Sequence, residues 1–350
     1  MPEQLQLSEV CRGGLLDFAA EQLTDARHKS RAEINMHGRV DRRHFLRAAG
    51  ACALGGSAIE LLGSSATLAM PEDTRLAGSG IPRLLSGCSA YSFRKQLMSG
   101  QMTMEDFILS AVDLRLDGVD MTVYYLKSTE PTYLESLRHL AYKNAVSFIG
   151  AACGSRAVQA DPVKRAEVVN DIRRWVDVAG WLGAPQLRIL AGNLPSGVSL
   201  AQATDWVVET MKAAVEYSEK KGITLSLENN RGVSQYADTC LDVIHRVDSP
   251  YAGITVDITH FVPTPSQDAY AQIAACIPYA TNAHILDRFD DEAPIDLERI
   301  WKLFAQAGFK GYMSLEFDPK PGAEDTSGTE IPRMISEIRA LCRKYSSTAS

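Results

Sequence analysis

Leu225-Ser226-Leu227-Glu228-Asn229-Asn230 is a short apolar run that stops on an acid and two amides. The pattern returns three times downstream. Ile254-Thr255-Val256-Asp257-Ile258-Thr259-His260 stops on an Asp, Asn282-Ala283-His284-Ile285-Leu286-Asp287-Arg288 carries a His, and Met313-Ser314-Leu315-Glu316-Phe317-Asp318 stops on a Glu. The four ionisable residues are 29, 27 and 32 positions apart, the length of one strand–helix unit each. Outward from this block the same rhythm continues. Strand-like runs at Leu84–Ser89, Gly118–Thr122, Ser147–Ala151, Gln186–Leu190, Thr224–Leu227, Gly253–Val256, Asn282–Ile285 and Tyr312–Leu315 alternate with longer segments of helical period. In residues 200–221, Val207, Val208, Met211, Ala214 and Val215 share one face, Ser199 and Gln202 form a capping box, and Gly222 ends the helix. Eight such units predict an α/β protein, a (β/α)8 TIM barrel over residues 84–345, closed by a helix over about 328–345. An open doubly wound sheet would need a glycine-rich loop after an early strand, and Gly78-Ser79-Gly80 precedes a strand instead.

Composition narrows the class. The chain has 350 residues, 45% of them apolar, and a net charge of −7. No apolar run approaches the roughly 20 residues of a membrane-spanning helix. No basic stripe follows residue 100, so nucleic acid is not the expected partner. The seven cysteines include no C-x-x-C pair and read as small core residues. Leu85-Ser86-Gly87-Cys88 matches a lipoprotein cleavage box, but it opens a strand and is read as coincidence.

The first 70 residues stand apart. Arg42-Arg43-His44-Phe45-Leu46-Arg47 is followed by a weakly apolar stretch, Ala48 to Leu62, and then by small residues, Ser64 to Ala69. The paired arginines before Phe-Leu resemble a bacterial twin-arginine export signal. That resemblance implies a partner in the twin-arginine export machinery and a periplasmic destination, or a cytoplasmic one if the leader is not a working signal. Glu60 interrupts the apolar stretch, and the arginine pair lies far from Met1 although close to Met36. Residues 1–69 hold equal numbers of acidic and basic groups, so the whole net charge of −7 belongs to the remainder.

Barrel chemistry sits at the C-terminal ends of strands. Glu228, Asp257, His284 and Glu316 therefore aim at one mouth. Three carboxylates brought together raise each other's pKa, and a divalent cation removes the conflict. Three oxygen ligands and one imidazole suit Mn2+ first, with Mg2+ or Co2+ as alternatives, whereas a closed zinc site would prefer cysteine. Arg188 reads either as a substrate contact or as half of a salt bridge. Tyr91, Phe93 and Tyr124 are candidates for an apolar wall or for packing, and Asp120 for a supporting position behind the ligands.

Glu after strand five in a Leu-Glu-Asn context, Asp-x-x-His after strand six, His after strand seven and Glu after strand eight resemble the xylose isomerase-like sugar isomerase/epimerase superfamily, in particular its D-tagatose 3-epimerase-like members. The resemblance spans about residues 84–345. It implies that Glu228, Asp257, His284 and Glu316 hold one Mn2+, Mg2+ or Co2+ ion. It also implies that Glu228 and Glu316 move protons at a carbon beside a carbonyl, and that His260 binds a small carbohydrate-like substrate. There are departures. The family's sugar epimerases carry a second Glu shortly after the strand-five ligand, where this chain has Ser234. They carry an Arg six residues after the strand-seven His, where this chain has Asp290; Arg288 is the candidate substitute. A lyase or dehydratase acting on a keto-sugar or C-glycoside at the same site stays open. An endonuclease IV-like nuclease is disfavoured because only His139, His245, His260 and His284 lie in the barrel. A sugar-binding protein without catalysis would have no use for the ligand set. Homo-oligomer formation is not legible.

Overall fold

The computed structural model describes residues 81–319 and 325–346. The expected leader, residues 1–70 with its twin-arginine motif, lies outside the described residues. Eight parallel strands close into a barrel in chain order. They are β1 (Arg83–Ser89), β2 (Gly118–Thr122), β3 (Ser147–Arg156), β4 (Gln186–Leu190), β5 (Thr224–Glu228), β6 (Ala252–Asp257), β7 (Ala280–Ile285) and β8 (Lys310–Leu315). The helices around them are α1 (Arg94–Ser99), α2 (Met104–Asp113), α3 (Pro131–Lys143), α4 (Pro162–Leu182), α5 (Leu200–Lys220), α6 (Ala237–Val247), α7 (Ala269–Cys276), α8 (Leu297–Gln306) and α9 (Ser327–Ser346). The expected (β/α)8 barrel is the observed one.

Local rules set the helix ends. Thr103 and Asp106 cap α2 reciprocally, side chain to backbone in both directions. At α5 only half of the expected box forms: the Gln202 N–H donates to Ser199 Oγ at 3.2 Å. The longer helices lay an apolar stripe on the barrel. In α8 the stripe is Leu297, Ile300, Trp301 and Phe304, a spacing of three and four residues, and all four are buried. Fully burying a side chain of this size contributes roughly 1.5–3 kcal/mol. The cysteines at 88, 153, 240, 276 and 342 are free and buried, as expected, and burial pushes the Cys88 thiol up to about 12. Cys88 sits inside β1, which disposes of the lipoprotein reading. Among the described residues no helix is long and apolar enough to cross a membrane.

The lumen differs from the common pattern for this architecture. Such barrels are usually filled by branched apolar side chains. Here strand alternation turns Arg188, Ser226, Glu228, Thr255, Asp257, Asn282, His284 and Ser314 inward, while Ile189, Leu227, Val256, Ala283 and Leu315 between them are buried in the core against the helices. The inward groups satisfy each other. Asn282 Nδ2 donates to Asp120 Oδ2 across the barrel at 2.6 Å, and the Ser226 hydroxyl meets those of Thr255 and Thr281 at 2.8 and 2.7 Å.

One strand runs further than its sequence indicates. The expected strand ends at Ala151, yet β3 continues to Arg156, which pairs with Leu190 of β4 past a register shift. The ladder is extended by Ala157 and Val158, whose N–H groups donate to the Leu190 and Ala191 carbonyls at 2.9 and 2.8 Å. Cross-strand hydrogen bonds outweigh weak local preference here.

Candidate metal and active site

The strand ends are locked before any side chain meets a ligand. At the end of β5, Asn229 faces Asp257 of β6 through a two-way amide bond. Its Nδ2 donates to the Asp257 carbonyl and its Oδ1 accepts from the Asp257 N–H, both at 2.8 Å. Asn230 Nδ2 donates to Glu228 Oε1 at 2.7 Å. Ser234, in the place of the second Glu of the family's epimerases, braces the loop instead. Its Oγ donates to the Glu228 carbonyl at 2.9 Å and accepts from the Asn230 N–H at 3.1 Å. The Leu-Glu-Asn-Asn pattern was visible in the sequence; what its amides hold was not.

The same loop depends on Gly232. Its φ is +97°, and a Cβ there would meet the Gly192 carbonyl oxygen at 2.5 Å and Asn193 Cα at 2.8 Å, both backbone atoms. A Gly232→Ala variant combines a disfavoured backbone conformation with a steric conflict, so it is expected to destabilise the fold by about 1–3 kcal/mol. Thermal unfolding checks this, and an unchanged midpoint would contradict the reading.

Three of the four expected ligands converge in the lumen. His284 Nδ1 lies 2.7 Å from Glu316 Oε2 and 3.6 Å from Glu228 Oε2. All three atoms are buried, and none has a partner of hydrogen-bonding geometry among the described residues. Buried polar atoms without partners are rare, and each calls for an explanation. The other ring nitrogen, Nε2, lies 3.5 Å from Asp120 Oδ2. A carboxylate behind a histidine orients the ring and frees its opposite nitrogen to ligate a metal. Asp120 is itself held by Asn282.

Asp257 completes the set from β6. Its Oδ1 accepts from Thr259 N–H and Oγ1 at 2.8 and 2.6 Å, which leaves Oδ2 for the site. Ligand atoms of Glu228, Asp257 and His260 lie within 4.8 Å of one another. The structure thus brings His260, expected at the substrate, close enough to two of the carboxylates to share a cation with them.

Electrostatics shows what the cluster lacks. Burial pushes the Glu228 carboxyl up; Arg188 opposes this, but Glu316 adds to it. For Glu316 burial also pushes up, but His284 and Arg188 outweigh it and hold the carboxyl at about 2. Burial disfavours a charged His284, yet Glu316, Asp120 and Glu228 hold its pKa well above the usual range. These carboxylates demand positive charge at their centre, and a divalent cation fits that demand and the ligand chemistry of the three converging atoms.

Arg188 is buried beside Glu228, with its Nε 2.9 Å from Oε2, and its Nη1 donates to the Cys153 carbonyl at 3.2 Å. The salt-bridge reading describes its observed contacts. Arg288 lines the cavity, but its guanidinium contacts Glu292 at 3.1 Å and Asp287 at 3.7 Å and donates to the Asp318 carbonyl. Asp290 is engaged from two sides. It accepts from Arg231 through a fork of 2.8 and 3.1 Å and contacts His260 Nδ1 at 2.9 Å. The acid standing where the family's epimerases have an Arg is therefore met by an Arg from the β5 loop. Burial disfavours charge on His260, but Asp257 and Asp290 outweigh it and hold the imidazole at about 9. Arg231 escaped the sequence reading because its partner lies 59 residues away.

Above the cluster is a cavity of about 410 Å³. Of the two readings left open for the aromatics, Tyr91 and Tyr124 take the wall, lining the cavity, whereas Phe93 packs on Phe107 with ring centroids 5.7 Å apart.

A (β/α)8 barrel with a Glu-Asp-His-Glu constellation at its C-terminal mouth defines a class, and sequence comparison agrees. The chain belongs to the xylose isomerase-like TIM barrel family, whose model matches residues 109–341. No curated protein matches it. Solved structures with the same fold include a protein from Sinorhizobium meliloti 1021, 21% identical with a TM-score of 0.62, covering 73% of this chain and 98% of that one. D-psicose 3-epimerase from Clostridium cellulolyticum H10, solved with D-tagatose, is 13% identical with a TM-score of 0.61 over 75% and 99% of the two chains. The IolI protein, solved with a zinc atom, is 13% identical with a TM-score of 0.59 over 76% and 100%.

Proposed function

We propose that the protein is a divalent-metal-dependent isomerase or epimerase of a sugar or related polyhydroxy carbonyl compound. The observation that carries this reading is the convergence of Glu228 Oε2, His284 Nδ1 and Glu316 Oε2, buried in close contact and with no partner of hydrogen-bonding geometry among the described residues, under an open cavity. The residues that would hold the ion are Glu228, Asp257, His284 and Glu316. Mn2+ is the first candidate, with Mg2+ or Co2+ next; the zinc in IolI and the epimerase among the structural neighbours support a metal and a sugar in general terms. A bound divalent ion polarises a carbonyl oxygen and acidifies the neighbouring C–H bond.

The chain's own residues then have separate tasks. Glu228 and Glu316 accept the proton from that carbon and return one, to the opposite face in epimerisation or to the adjacent carbon in isomerisation. Arg188 keeps Glu228 in place through its contact at 2.9 Å. Asp290 anchors His260 through Nδ1, and Nε2, 3.5 Å from Asp257 Oδ2, is the nitrogen that would meet a substrate oxygen. Loss of water from the same compound begins with the same proton transfer, so a dehydratase would use these residues in the same first step.

The test is solvent exchange. Wild-type protein with Mn2+ in heavy water is expected to incorporate deuterium beside the carbonyl of at least one member of a panel of keto-sugars and aldose/ketose pairs, read by proton NMR. A complete panel without incorporation would overturn the reading. The leader supplies a location: we read residues 1–70 as a twin-arginine signal that sends the protein to the periplasm. An Arg42→Lys, Arg43→Lys variant is expected to remain in the cytoplasmic fraction, and equal distribution of variant and wild type would refute that.

A further inference from the structure

The cavity walls divide by charge. From β1 to β4 the lining residues are Tyr91, Tyr124, Arg156, Arg188 and Leu190, with no carboxylate among them. All six lining carboxylates come from Glu228 onward in the chain. Three of the four lining arginines are already paired: Arg188 with Glu228 at 2.9 Å, Arg231 with Asp290 at 2.8 Å and Arg288 with Glu292 at 3.1 Å. The Arg156 side chain has no hydrogen bond or ion pair among the described residues. An unpaired exposed arginine is ordinary by itself. This one stands on the final residue of β3, in the extension held to β4 by the Leu190 pairing, and so at a fixed place on the wall. It belongs to the β1–β4 part of the lining, which holds no carboxylate.

We infer that the substrate carries an anionic end, a carboxylate, which Arg156 receives while the carbonyl end lies over Glu228, His284 and Glu316. The inference rests on the proposed reaction for the orientation of the carbonyl, but not for the anion contact itself. A guanidinium matches a carboxylate with two parallel N–H donors. A terminal phosphate shares the anionic chemistry, but a dianion would call for a second unpaired cation on that wall, and the described residues supply only Arg156.

The test uses the full chain with Mn2+ and matched ligands that differ at one carbon: D-fructose, D-fructuronate and D-fructose 6-phosphate, then D-tagatose and D-tagaturonate, with affinity read by calorimetry. In at least one pair the uronate is expected to bind roughly tenfold or more tighter than the neutral ketose. Arg156→Gln is expected to bring that preference to within about twofold of parity, and Arg156→Lys to keep part of it. Equal binding of uronate and ketose, absence of uronate binding in every pair, or a preference that survives Arg156→Gln would each overturn the inference. Tighter binding of the 6-phosphate than of the uronate would overturn the carboxylate assignment. Deuterium exchange on the same ligands separates the two readings. Arg156-dependent uronate binding without exchange leaves the anion site standing and sinks the proton-transfer function. Exchange on neutral ketoses without any preference does the reverse.

Discussion

Glu316→Gln is expected to lower solvent deuterium incorporation by at least about a thousandfold, within the 10²–10⁴ range for removal of a positioned proton acceptor. The substitution keeps the shape of the side chain and one oxygen, and it removes the group that takes the proton. Its neighbourhood makes it the cleaner of the two possible tests. Glu316 Oε2 has His284 beside it at 2.7 Å and makes no hydrogen bond to any other of the described residues. Glu228 is more crowded. Its Oε1 accepts from Asn230 at 2.7 Å and its Oε2 faces Arg188 at 2.9 Å. A Gln at 228 would turn an amide NH2 against one of these donors, so Glu228→Gln combines loss of the base with local disruption. Both variants should fail in exchange, and in metal-free protein Glu316→Gln should lower the unfolding midpoint less than Glu228→Gln. Normal exchange in either variant removes that residue from the proton path.

Metal removal should have the second large effect. An ion that binds only the folded protein stabilises it by about 2.7 kcal/mol at a concentration a hundred times its dissociation constant. For a domain of this size that corresponds to a rise of roughly 5–10 °C in the unfolding midpoint. Chelated protein is therefore expected to melt lower and to recover with Mn2+, and elemental analysis of reloaded protein should find one ion per chain. His284→Ala should abolish the recovery. Asp120→Asn should weaken it, because the carboxylate behind a ligating histidine typically accounts for about 10–100-fold in affinity. His260→Ala divides two ligand sets: recovery close to wild type leaves the ion with Glu228, Asp257, His284 and Glu316, whereas loss makes His260 a ligand of the ion. Two or three zinc ions per chain, or no shift with any divalent ion, would refute the single-ion site.

The parts legible in the sequence were those written by local periodicity. The alternation of short apolar runs with helical segments placed the eight strands, and their ends marked Glu228, Asp257, His284 and Glu316. The extension of β3 was not legible, because Cys153, Gly154 and Ser155 have weak strand preference and are held by pairing with β4. The same extension carries Arg156. Nor could Arg188 be assigned in advance, since a salt bridge and a substrate contact demand the same residue at the same strand position. Arg288 looked like a replacement for the family's Arg by its distance along the chain, but its guanidinium is engaged by Glu292 and Asp287, and Arg231 meets Asp290 instead.

The sequence by itself determined that this chain forms a (β/α)8 barrel and that ionisable residues end four consecutive strands, because strand period, helix period and unit length are properties of neighbouring residues. Only the tertiary structure decided which of those residues meet and what supports them. His284 and Asp120 are 164 positions apart, and Asp120 and Asn282 are 162 apart, so both contacts exist only once β2 and β7 face each other across a closed barrel. The physical reason is closure: it brings inward-facing groups from distant strands within hydrogen-bonding range, and no pattern along the chain records which pairs will face each other.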